Sequence, residues 1–179
     1  MPRVHLMIYG FLKHWRDPLQ MTLGPLLDAY QVGLELGGIE YSAYAATHHC
    51  INILNSGQNI DYLIEQKQTC LQHLIKHGEN MPADLNWPAY QDALNLNVRS
   101  INPVYLNGQV ITEEDVLKKY EETNFPLLKY YMFVHAACVA YIFHEYDLAA
   151  ENVINIKDTE KKFLGVYDVG VQAFYCELS

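Results

Sequence analysis

The chain has 179 residues, 50% of them hydrophobic and 18% charged, with a formal net charge of −9 at pH 7. A domain of this length buries roughly 70% of the surface that its unfolded chain exposes, so a core is within reach. The acidic balance, with Lys and Arg scattered along the chain, argues against a nucleic-acid partner, which needs clustered cations. The first predicted helix runs from Arg3 to Trp15, with Val4, Met7, Ile8, Phe11 and Trp15 at three- and four-residue spacing. Asp17-Pro18 ends it, because proline lacks a donor and pushes its predecessor out of the helical region. A second helix covers Leu19 to Leu36 through Leu23, Leu26, Leu27, Tyr30 and Leu34, and Gly37-Gly38 closes it.

Ile39 to Leu54 forms the third helix, and Asn55-Ser56-Gly57 breaks the chain. The fourth runs from Asn59 to His77 through Ile60, Leu63, Ile64, Leu71, Leu74 and Ile75, with Gly78 at its end. The fifth covers Pro82 to Val98, with Trp87, Tyr90, Leu94 and Val98 on one side and Pro88 near its start, where proline is tolerated. Ile101 to Val110 reads as a loop of extended character, and residues 100–111 are the weakest seam in what is otherwise a single domain, 1–179. Thr112-Glu113-Glu114-Asp115 is a capping-box start, with Asp in place of the usual Glu, for a short helix that stops at Asn124-Phe125-Pro126. A last helix begins near Tyr167 and is still apolar at Phe174, Tyr175 and Leu178.

Between Phe133 and Ile156 the residues fit one helix–turn–helix repeat of the tetratricopeptide kind. Phe133, Ala136, Ala137 and Ala140 stand at the first helix's spacing, the turn is at His144 to Asp147 with Tyr146, and Ala149, Val153 and Ile156 take the small and apolar positions of the second. Leu26, Ala29, Tyr30 and Gly33 face Ser42 and Ala46 in a second such pair, with Gly37 at its turn. The expected fold is all-α, a tetratricopeptide-like array of about eight or nine helices with pairs at 19–54 and 127–160.

Other phrases carry a family likeness. His5 to Phe11, His14-Trp15, Asp17-Pro18, Leu27 to Ala46, Tyr90-Gln91 to Leu94-Asn95-Leu96, Asn107-Gly108 with Thr112-Glu113-Glu114, and Phe163 to Val166 with Phe174-Tyr175 follow one another in order. Together they resemble the helical region of very large bacterial, notably cyanobacterial, multi-domain signalling kinases. In such proteins a serine/threonine kinase domain and an AAA-type ATPase precede this region, and a GAF domain and a histidine kinase follow it. The resemblance implies a region of a longer chain that joins sensor to output, with the other domains as partners, and no catalysis in this region. The chain departs from the pattern at Lys162 to Gly165, one residue short, and at Lys161, where the repeat's proline is missing.

Chemistry is sparse. The chain has no G-x-x-x-x-G-K-[ST] run to cradle phosphates, no His-Arg-Asp loop and no Asp-Phe-Gly, so neither kinase nor ATPase activity is expected. His144-Glu145 has the order of a phospho-acceptor histidine but lies at a repeat turn without the usual continuation. Metal binding is the stronger rival: His73 and His77, four residues apart, share one helix face, with His48-His49-Cys50, Glu65 and Glu79 as further donors. Adjacent histidines diverge by about 100° on a helix, so His48 and His49 serve poorly together. All four histidines read as surface or helix-end residues, and no cofactor is expected. His135 reads as a satisfied core histidine, and His14-Trp15 as packing at a helix end.

Four cysteines (Cys50, Cys70, Cys138, Cys176) sit mostly inside apolar helical patterns. No secretory signal follows Met1-Pro2-Arg3, and no apolar run reaches the ~20 residues of a membrane span. Buried free thiols and a cytoplasmic location are therefore expected, with no membrane partner. The function expected is a non-catalytic interaction or signal-relay scaffold, and the alternative is a helical small-ligand- or metal-binding domain. Phe11, Trp15, Phe174 and Tyr175 are the candidate interaction surface, with homodimerisation when the chain is isolated; the 14 tyrosines could also line an aromatic groove.

Overall fold

The computed structural model describes residues 2–97, 102–108, 112–156 and 167–178. Every regular element among them is helical. The chain packs as two compact units, Met1–Asn86 and Trp87–Ser179, the boundary falling inside one helix. Of the expected seam at 100–111 only residues 102–108 and nothing beyond them up to Ile111 are described, and Val98 and the 157–166 segment with Lys161 to Val166 also lie outside.

The first unit opens with a helical stretch wound three ways: α1 (Pro2–His5), a π-helix over Leu6–Leu12 and a 3-10 turn over Lys13–Trp15. The expected helix is thus present, but its expected apolar face is wrong. Leu6 and Gly10 are buried, whereas Val4, Met7, Ile8 and Trp15 are exposed. A π-helix bonds i to i+5 and so shifts the phase on which a 3.6-residue reading depends.

Next come α2 (Gln20–Glu35), α3 (Ile39–Asn55), α4 (Ile60–Lys76) and α5 (Asn80–Leu96), whose residues to Asn86 belong to this unit. The α2–α3 pair is a tight hairpin. Gly37 turns it at φ 74°, and the N–H of Gly38 closes the helix end on the Gly33 carbonyl at 2.9 Å. A Cβ at Gly33 would collide with Ser42 Oγ, so the two helices meet at a distance only glycine permits. Pro25 stands inside α2, where its missing N–H weakens the ladder. Side chains of α3 pin this turn: Asn52 Nδ2 donates to Thr22 Oγ1 at 2.8 Å, and His49 Nδ1 donates to the Leu23 carbonyl at 2.9 Å.

Helix α3 is buried nearly all round from Ser42 to Ile53, as befits a helix surrounded by others. It packs on the opening stretch, α2 and α4, around Leu6, Leu26, Ala29 and Ala45 with Tyr9, Phe11, Tyr30, Tyr41 and Tyr44 against them. Helix α4 is amphipathic; Asn59 caps it by accepting from the backbone N–H groups of Asp61 and Tyr62. Helix α5 starts two residues earlier than expected, and Pro88 lies at its middle rather than near its start.

The second unit holds the rest of α5, a loop, α6 (Glu113–Thr123), α7 (Pro126–Ile142), α8 (Tyr146–Ile156) and α9 (Asp168–Leu178). The capping box forms: Thr112 Oγ1 accepts from the Asp115 N–H at 3.1 Å, and an Asp115 carboxylate oxygen accepts from the Thr112 N–H at 3.1 Å. Asn124 ends α6 in the left-handed region at φ 48°. Helix α7 is the centre, packed on α6, α8 and α9, with Leu106, Ala136 and Val139 forming a cluster against which Phe143 leans. Ala136, Ala137 and Ala140 of α7 and Ala149 and Ile156 of α8 are all buried, and His144 takes the turn between them at φ 65°.

Candidate functional site

The residues expected to pack the hairpins divide by place. Leu26, Ala46, Ala137, Ala140 and Ala149 are buried, Tyr30, Phe133 and Val153 half-buried, and Gly37 stands at its turn. Tyr146 is exposed at the α7–α8 turn, its ring edge-on to Tyr141 at 5.2 Å and its hydroxyl 2.8 Å from His144 Nδ1. Phe133 lies under the Lys129 ammonium, 5.7 Å from its ring centre.

Of the expected interaction surface, Phe11 is turned inward, its ring edge-on to His48 at 4.6 Å. Trp15 is exposed, and so is Phe174 in the second unit; the side chain of Tyr175 lies outside the described residues. Sequence reasoning missed the rest of the surface around Trp15. Val4, Met7, Ile8, Leu12 and Trp15 form a run of large apolar side chains, each 39–64% exposed. Arg3, Lys13 and Arg16 are interspersed with it. Val4, Met7, Ile8 and Trp15 carry the spacing that predicted the helix, but spacing alone does not say which face is covered.

His73 and His77 come together as expected, with ring centres 5.2 Å apart. They line a groove with Tyr30, Leu34, Ile39, Ala43, Leu74 and Glu79. Tyr30 stands edge-on to His73 at 5.9 Å, and burial, reinforced by nearby Cys70 and Cys50, pushes its phenol up to about 12. His48 and His49 do not join this groove, nor are they surface or helix-end residues. Both are buried at the middle of α3, because that helix is enclosed on nearly every side. No group of three or more His, Cys, Asp or Glu side chains among the described residues could hold a metal ion. The groove therefore offers two imidazoles beside an apolar wall, a surface for weak contacts.

Behind it lies a buried polar cluster that sequence reasoning did not find. Lys67 of α4 is 0% exposed, and its ammonium donates to Asn86 Oδ1 at 3.4 Å. Asn86 Nδ2 donates in turn to Thr47 Oγ1 at 2.8 Å and to the Pro82 carbonyl at 3.0 Å. Cys50 (α3) and Cys70 (α4) are free and buried. Interaction between the two thiols holds Cys50 below the usual thiol range and, with burial, pushes Cys70 above it; the Lys67 charge favours the thiolate at both. A signal was present: Leu63, Lys67, Cys70, Leu71 and Leu74 share the four- and three-residue spacing of a core face, with the lysine inside it.

The second unit has its own buried pair. His135 Nδ1 donates to an Asp92 carboxylate oxygen at 2.8 Å, and Tyr131 stacks on the imidazole at 6.2 Å. The other oxygen of Asp92, His135 Nε2 and Gln91 Oε1 have no partner among the described residues. His135 is thus a core histidine held on one side, but the carboxylate that holds it was not anticipated. Asn95 anchors the neighbouring loop by donating to the carbonyls of Pro103 at 3.1 Å and Tyr105 at 2.7 Å. No family model, curated protein or solved structure matches the chain. Among the described residues no helix is long and apolar enough to cross a membrane.

Proposed function

We propose that the chain is a non-catalytic interaction scaffold built of tetratricopeptide-like helical hairpins, of the kind that the resemblance to multi-domain sensor kinases implies. The observation that carries this reading is the exposed stripe of Val4, Met7, Ile8, Leu12 and Trp15. Single apolar residues are ordinary on a surface, whereas five large ones exposed between Val4 and Trp15 of one helical stretch mark a contact. It lies beside a hairpin whose helices meet at Gly33 and Ser42, and repeat hairpins bury their apolar faces by stacking. The occupant is a further amphipathic helical hairpin, supplied by another domain of a longer chain; Arg3 and Arg16 along the stripe suit one with acidic flanks, Lys13 being paired with Asp17. With no such domain, a second copy takes its place.

Sedimentation of the isolated chain tests this, with Trp15 fluorescence read in a Trp87→Phe background. The chain should self-associate as concentration rises, with a blue shift of Trp15 emission, and Leu12→Glu with Trp15→Glu should leave it monomeric. A wild-type chain that stays monomeric at high concentration, with Trp15 emission unchanged, sinks the reading. The ligand-binding alternative rests on the Tyr30–His73–His77 groove, and a helical fold unchanged by metal titration, with no bound metal in untagged protein, removes it.

A further inference from the structure

We propose that His73 and His77 form a binding site for a divalent ion of the zinc class, two imidazoles at the end of α4 with water completing the shell. The proposal goes beyond the scaffold reading and does not depend on it. The histidines stand four residues apart, so the helix brings both rings to one face, the spacing by which a helix offers two imidazoles to one ion. Their ring centres are 5.2 Å apart. An imidazole nitrogen about 2.1 Å from zinc puts its ring centre about 3.2 Å from the ion, so two rings at a tetrahedral angle stand roughly 5–5.5 Å apart. The observed separation falls in that range. Imidazole also selects the class of ion, since it suits zinc, copper and nickel, whereas calcium and magnesium take oxygen donors.

The rings are within reach of an ion. His77 is exposed and His73 half-buried, and both line the groove that Glu79 shares. Among the described residues no hydrogen bond or ion pair engages either imidazole or the Glu79 carboxylate; the neighbour of His73 is the edge-on ring of Tyr30 at 5.9 Å. Two sources of negative charge favour a cation here. His77 caps the C-terminal end of α4, where the last carbonyls carry partial negative charge. Past Gly78 the Glu79 N–H donates to the Leu74 carbonyl at 2.9 Å, which folds the chain back and sets Glu79 along the same groove. Lys76 of the same turn is exposed and does not line the groove. Among the described residues no third His, Cys, Asp or Glu completes a set with the pair, so Glu79 adds charge and water takes the remaining positions.

The test titrates the full, untagged chain, stripped with a chelator, with zinc chloride in a calorimeter. One equivalent should bind in the micromolar range, and bound zinc should shield His73 and His77 from carbethoxylation by diethyl pyrocarbonate, mapped by mass spectrometry. His77→Gln changes an exposed side chain, so folding is not at stake, and it should weaken binding at least tenfold; His73→Gln should do the same. His144→Asn removes an exposed histidine elsewhere, at a positive φ that asparagine accepts, and should bind as the wild type does. No binding at micromolar zinc, wild-type affinity in His77→Gln, or full carbethoxylation of both histidines in the zinc-loaded chain would each overturn the proposal.

Discussion

At His48 the enclosed position of α3 becomes a measurable property. Burial, with a smaller contribution from the His14 charge, holds its imidazole down to about 4, against 6.5 for an unperturbed side chain. Above that ordinary value neither the folded nor the unfolded chain carries a proton here, and the stability is fully present. As pH falls through the window between the two values, the unfolded chain takes up a proton that the folded chain refuses, so stability is lost progressively toward the lower one. The effect of one such group is on the order of 3 kcal/mol, and burial moves His49 in the same direction. The urea midpoint should therefore fall between neutral pH and about pH 4.5, and His48→Leu should flatten the decline. A midpoint as steep in His48→Leu as in the wild type would place the titrating group elsewhere. Neither His48 nor Asp92 could be assigned from sequence. Burial of His48 depends on how many helices surround α3, and Asp92 meets His135 across 43 positions of chain. Lys67 differs, since its own helix already places it on the apolar face.

Helices and their ends were the legible part, because local chemistry decides them. Asn59 and Thr112 cap as their side chains predict, Gly37 and Gly78 stand at positive φ just past helix ends, and Asn124 does the same for α6. The misses share a cause. The π-wound stretch over Leu6–Leu12 departs from the 3.6-residue period, and α5 starts at Asn80, which puts Pro88 at its middle; neither is marked by local spacing. Within the hairpins, small residues mark close approach. Ala149 of α8 is 1% exposed in the unit where α7 and α8 pack most extensively, with Ala136 and Ala140 buried on α7. A leucine there must displace neighbours that have nowhere to go, at a cost of roughly 1–3 kcal/mol. Thermal unfolding of Ala149→Leu measures it: a melting temperature equal to the wild type's would count against the hairpin register proposed for α7 and α8.

For the molecule as a whole, the helical class followed from periodicity, while what the chain does is argued from surfaces that periodicity cannot orient. The stripe from Val4 to Trp15 was visible as a pattern, yet only the folded chain reveals that it faces outward. Catalysis is the reading with least support, and it is open to a direct experiment. Nucleotide hydrolysis needs a loop of backbone N–H groups around the phosphates, a lysine reaching them and a carboxylate or hydroxyl on the metal ion. The sequence holds no such glycine-rich run. Lys67, the lysine placed most deeply among the described residues, is buried against Asn86 rather than facing an open cleft. An open cleft beside α6 is lined, among the described residues, by Glu113, Glu114 and Glu121 with Lys118, and that acidic wall repels a polyphosphate. The isolated chain should neither hydrolyse ATP nor label itself with its terminal phosphate. Turnover that survives rigorous purification and disappears on changing a single residue of this chain would overturn the scaffold reading.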